Sequence, residues 1–128
     1  MPKKKPAPAK NAGPRLINRT VAVIKPRRPF LDWLKGMPDW DLKLTLNQLR
    51  QEECTALLIP DFLYLDEARE FVEALHPVLF EMELEGWYLD KKLWPKGRNL
   101  KMFREWFDIE LHSMAIDVVG GPIRREEL

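Results

Sequence analysis

The chain has 128 residues, 45% of them apolar and 32% charged, with a formal net charge of +1. That length holds one domain with one core, and that apolar content excludes a chain disordered throughout. A single cysteine, Cys54, excludes an intrachain disulfide and removes any need for an oxidising compartment.

The apolar runs are too short to span a bilayer as a helix. No hydrophobic segment of signal-peptide length follows the basic start, so the expectation is a cytoplasmic protein with no membrane contact. The charge is unevenly spread. Residues 1–28 carry nine Lys or Arg and no acid, whereas residues 29–128 carry a net charge of −8. A basic arm on an acidic body suits either an anionic partner or simple solubility.

Residues 1–14, MPKKKPAPAKNAGP, have almost no apolar surface with which to offset the entropy of ordering. The expectation is a disordered basic tail over residues 1–15 and a single α+β domain over residues 16–128. Asn18–Lys25 is rich in β-branched residues and is stopped by Pro26, which predicts a first strand; its near-continuous apolar run suggests burial on both faces. Pro29 can open a short helix through Lys35, with Phe30, Leu31, Trp33 and Leu34 as its apolar side and Gly36 and Pro38 as its stop.

Residues 37–44 read as a loop. Thr45 followed by Gln48 fits a capping box for a short helix through Glu53 that buries Leu46 and Leu49. Cys54–Ile59 is the second predicted strand. Asp66 is the expected N-cap of a helix whose Ala68, Phe71, Val72 and Leu75 follow helical spacing. Pro77 then restarts the chain as a helix from Val78 to about Glu85. Leu100–Phe107 is helical by the spacing of Leu100, Phe103 and Phe107. Ile109–Val119 is read as the last and longest strand, ended by Gly120, Gly121 and Pro122. The order is β-α-α-β-α-α-α-β: a small three-stranded sheet with helices packed on it, its strand order open.

The stretches NRTVAVIKPRRPFLDWLKG, GWYLDKKLWP and FREWFDIELHSMAIDVV, which lie between Asn18 and Val119, resemble a widespread family of small bacterial proteins of uncharacterised function. The resemblance covers the whole expected domain and leaves out the basic tail. It implies a bacterial, cytosolic domain and carries no catalytic residue, cofactor or partner with it.

The residues themselves offer three sites. In a strand, Asp108, Glu110 and His112 share one face. Two carboxylates and an imidazole are suitable ligands for a divalent metal, with Asp61 at the end of the second strand as a fourth, and would suit a metal-dependent hydrolase or nuclease. The same alternation runs on into Met114, Ile116 and Val118, which read as core, so the trio also fits a structural ion network. No nucleophile or phosphate loop accompanies it.

Arg19, Lys25, Arg27 and Arg28 flank a strand and a helix start, and together with that helix N-terminus could hold an anion or pair with the body's own acids. The tail lysines Lys3, Lys4, Lys5 and Lys10 add a weak, sequence-independent route to nucleic acid through counterion release. Cys54, just after Glu52 and Glu53, reads as a buried small residue, and neither it nor His76, at a helix break, has catalytic company.

The third site is aromatic. Of five tryptophans, Trp33 and Trp106 belong to helical apolar spacings and read as core. Trp40, Trp87 and Trp94 lie in loops and at helix ends, where aromatics gather at partner-binding surfaces. With no coherent catalytic set and no cofactor indicated, the reading is a non-enzymatic protein-interaction module that binds a protein partner or itself. The metal-dependent enzyme and weak nucleic-acid binding are the alternatives.

Overall fold

A computed structural model describes residues 11–128. Its centre is β2 (Arg19–Pro26), flanked antiparallel on one side by β3 (Thr55–Pro60) and on the other by β4 (Phe107–His112), in the order β3-β2-β4. Ala22 lies opposite Leu57 on one neighbour and Leu111 on the other; Ile24 lies opposite Thr55 and Ile109. Residues paired across strands share a face, so one side of the sheet carries Thr20, Ala22, Ile24 and Pro26 of β2, all buried. The other side carries the half-buried Val21, Val23 and Lys25. The expectation that this strand is buried on both faces is therefore corrected: helices cover only one.

The helices arise where the sequence places their caps. Pro29 in the first turn opens α1 (Arg28–Lys35), which buries Phe30, Leu31 and Leu34 and ends at Gly36. Thr45 and Gln48 form the expected capping box of α2 (Leu46–Glu52), the Thr45 hydroxyl accepting from the Gln48 N–H at 3.1 Å. α3 (Leu65–Ala74) starts two residues earlier than expected, after Tyr64; Asp66 falls inside its first turn, where its charge still meets the positive end of the helix. α4 (His76–Glu85) follows after Leu75 alone, with Pro77 in its first turn. Asn99 caps α5 (Leu100–Trp106) by accepting from the Met102 N–H at 2.9 Å.

Leaving β1 and β5 aside, the chain order is the expected β-α-α-β-α-α-α-β. The layer between helices and sheet is aromatic. Phe103 and Phe107 lie 5.1 Å apart by ring centroid, Phe80 and Phe107 5.4 Å, and Phe30 and Phe107 5.4 Å. Such pairs contribute about 0.5–1.5 kcal/mol each beyond the area they bury, and they fix α1, α4 and α5 against the start of β4.

Two elements depart from expectation. The last strand is broken: β4 ends at His112, residues 113–115 bend, and β5 (Ile116–Val119) continues separately. It pairs antiparallel with β1 (Asn11–Leu16), Leu16 lying opposite Ile116 and Arg15 opposite Asp117. Residues 11–15 are thus strand and not tail; the expectation for residues 1–10 lies outside the described residues. β1 precedes β2 and β5 follows β4, so the β1–β5 ribbon prolongs the β2–β4 ladder as an arm, joined by the Ile17 N–H to Ala115 carbonyl bond of 2.9 Å. No described helix is long and apolar enough to cross a membrane.

Candidate functional site

The β1–β5 arm exposes apolar side chains in a row. Period-two alternation puts Leu16, Ile116 and Val118 on one face, and they are 67%, 47% and 51% exposed. Met114 at the bend and Ile123 beyond β5 are also exposed. The opposite face carries Arg15 and Asp117 together with the exposed Val119: Arg15 donates to the Val119 carbonyl at 2.8 Å, and the Asp117 carboxylate accepts from the Val119 N–H at 2.8 Å. Among the described residues, no helix or further strand packs extensively on this ribbon. Met114, Ile116 and Val118, read from the sequence as core, are surface; the bend at 113–115 carries them off the body.

A second uncovered surface adjoins it, the outer side of the three-stranded sheet. Here the structure does bring Asp108, Glu110 and His112 onto one face, opposite Lys25, Val23 and Val21 respectively. Each carboxylate already has a partner. Lys25 pairs with Glu110 Oε2, His112 Nε2 lies 2.8 Å from Glu110 Oε1, and Arg50 from α2 reaches Asp108 at 2.8 Å. The Lys25 hydrogen bond, and after it that of His112, holds the Glu110 carboxyl below the usual carboxylate range.

Asp61 does not join this group. It follows β3, two strand spacings and so roughly 10 Å from β4. Among the described residues no three His, Cys, Asp or Glu side chains form a group able to hold a metal ion. The trio is an ion network on an open sheet face.

The four basic residues are likewise not brought together. Arg19 and Lys25 lie at opposite ends of β2, roughly 20 Å apart at strand rise, and Arg19 donates to its neighbour Asn18 at 2.8 Å. Arg27 turns the other way and donates to the Arg104 carbonyl at 2.9 Å; Arg28 is exposed in the first turn of α1. Arg27 instead shares a hollow with Arg69, Arg104 and Glu73. In it Arg104 grips Glu73 with two nitrogens and Arg69 donates to the Ile109 carbonyl at 3.2 Å. The Arg104 hydrogen bond keeps the Glu73 carboxyl below its ordinary value against the opposing effect of burial.

The aromatic surface needs the largest correction. Trp94 is 5% exposed; its indole N–H donates to the Tyr88 carbonyl at 2.8 Å, and Lys91 and Arg98 flank its ring. It is a core residue. Trp40 and Trp87 do converge, with ring centroids 6.1 Å apart, but both are half-buried against the core. Trp106 is buried as expected, and Trp33 is half-buried with its N–H satisfied by the Leu93 carbonyl at 3.0 Å. Cys54, expected to be buried, is half-buried.

The chain matches no protein-family model, no curated protein and no solved structure.

Proposed function

We propose that the protein is a non-enzymatic interaction module, and that the partner reached through its β1–β5 arm is a second copy of the chain. One observation carries this reading: a projecting two-stranded ribbon whose Leu16, Ile116 and Val118 face solvent. A lone two-stranded ribbon is marginally stable in water, and a contiguous apolar row with no cover is what interfaces bury. Among the described residues, the outer edges of β1 and β5 pair with no other strand and offer their backbone groups to one.

A second copy meets this chemistry without any further component. A two-fold axis lays the same apolar row against itself and pairs like edge with like edge. The ion network on the open sheet face supports the non-enzymatic reading, because Asp108 and Glu110 are held by Arg50 and Lys25. A single cysteine, with no disulfide to maintain, fits a cytoplasmic setting.

Amide hydrogen exchange at several protein concentrations tests the reading. The amides of Leu16 and of Ile116–Val118 gain protection as concentration rises, while those of α3 are unchanged. Arm amides that exchange fast and equally at every concentration would overturn it.

A further inference from the structure

A hollow of about 310 Å³ lies beside the start of β4, the end of that strand away from the arm. Its size is at the small end of the range of about 300–1,000 Å³ typical of ligand pockets. Three arginines from separate parts of the chain line it: Arg27 just before α1, Arg69 on α3 and Arg104 on α5. All three are exposed, and each guanidinium ends on another residue of the same lining. Arg27 donates to the Arg104 carbonyl at 2.9 Å, Arg69 to the Ile109 carbonyl at 3.2 Å, and Arg104 to the Glu73 carboxylate. These bonds place the charged ends of the side chains, and not only their stems, at the walls of the hollow.

Two carboxylates share the lining, and each has its own partner. Glu73 is held by Arg104 through two nitrogens, and Asp108 pairs with Arg50, which comes from α2 outside the hollow. Arg27 and Arg69 are in no ion pair among the described residues. Each engages one guanidinium N–H on a carbonyl and keeps its remaining donors free. The Glu73 carboxyl feels the charge of Arg69 as well as that of Arg104, so these groups lie close enough to act on one bound ion. The hollow thus holds a surplus of positive charge, although residues 29–128 together carry −8.

We propose that this hollow binds a phosphoryl dianion, received by the free N–H donors of Arg27 and Arg69. Two guanidiniums match its double charge, and their planar forks suit its oxygens. A carboxylate brings a single charge and leaves one arginine without a partner. The site is separate from the arm and does not depend on whether two copies associate. The same chemistry comes from free phosphate or from a phosphorylated side chain of another protein.

NMR titration of the whole chain at constant ionic strength tests this with two probes, inorganic phosphate and a blocked phosphoserine (N-acetyl-phosphoserine methylamide), with acetate as the monoanion control. The expected result is a saturable shift of the Arg27 and Arg69 Nε–H signals and of the Ile109 amide, with a Kd of about 1 mM or tighter for a phosphoryl probe. Acetate binds at least about tenfold more weakly. Arg27→Gln and Arg69→Gln each weaken the phosphoryl probe about tenfold, the loss of one charge-assisted contact. Lys92→Gln makes the same charge change at an exposed lysine outside the hollow and leaves binding unchanged. The tighter phosphoryl probe names the source, free phosphate or phosphorylated protein.

No saturable shift with either phosphoryl probe, acetate binding as tightly, unchanged binding in either arginine variant, or an equal loss in Lys92→Gln overturns the proposal. Should one arginine variant not fold, the other decides together with the acetate control.

Discussion

Glu83 lies on the inward stripe of α4 and is 7% exposed, and replacing it by Gln tests the energetics of a buried carboxyl. Burial pushes its pKa from 4.5 up to about 7, with the Thr55 hydroxyl opposing. The unfolded chain gives up this proton near 4.5 and the folded chain near 7. Between those values the folded state binds more protons, so stability falls as pH rises through that window, and above it the full cost of ionising a buried acid is in place. A displacement of this size corresponds to about 3 kcal/mol, a large share of the roughly 5–15 kcal/mol that holds a domain folded.

Gln has the same shape and no charge to bury. Its amide still sits where Oε1 lacks a hydrogen-bond partner, at a cost of about 1–3 kcal/mol. Glu83→Gln is therefore expected to be no more stable than wild type at about pH 4.5 and to gain about 3 kcal/mol relative to it by about pH 8. Urea unfolding followed by tryptophan fluorescence, run on both proteins across that range, measures the difference. Parallel pH profiles for the two would refute the reasoning, because every other titrating group is shared.

Further outcomes follow from the packing and the caps. Phe103→Ala removes a fully buried ring from the aromatic layer and is expected to cost about 3–5 kcal/mol in denaturant unfolding. Thr45→Ala removes the hydroxyl that accepts from the Gln48 N–H in the α2 capping box and is expected to cost about 1 kcal/mol. Lys25→Ala removes the largest cause of the low Glu110 pKa, so the Glu110 carboxyl, followed by NMR, should titrate at higher pH than in the wild type. An unchanged Glu110 titration would mean the ion pair on the open face does not persist in solution.

The fold was legible where the signal was local. The β-branched run before Pro26, the Thr45–Gln48 box and Pro29 each act within a few residues, and each element formed where they placed it. The shared face of Asp108, Glu110 and His112 followed from strand period alone. Their ion-pair partners did not, because Arg50 arrives from a helix remote in sequence.

The arm was illegible for the same reason. NAGPRL contains Gly13 and Pro14, poor strand formers, and becomes a strand only because Ile116–Val119, far along the chain, pairs with it. Ile116 and Val118 carry the alternation of a buried strand, and period cannot tell a core face from one that waits for a partner. Trp94 looked like a surface aromatic because it sits between a charged loop and Pro95; the Tyr88 carbonyl that satisfies its N–H is a loop contact with no pattern of its own. Glu83 had a readable signal: it interrupts the stripe of Leu79, Phe80 and Leu84 at helical spacing.

The arm as an interface between two copies is tested most directly by sedimentation velocity over a concentration series, comparing the wild type with the Ile116→Lys, Val118→Lys double variant. Burying one such side chain contributes about 2 kcal/mol. A two-fold axis counts each twice, so even one lost contact of this kind is worth about a thousandfold in Kd. The wild type is expected to sediment as a dimer whose population rises with concentration, and the double variant as a folded monomer throughout. A wild type that stays monomeric at every concentration, or a double variant that dimerises equally well, would contradict the account.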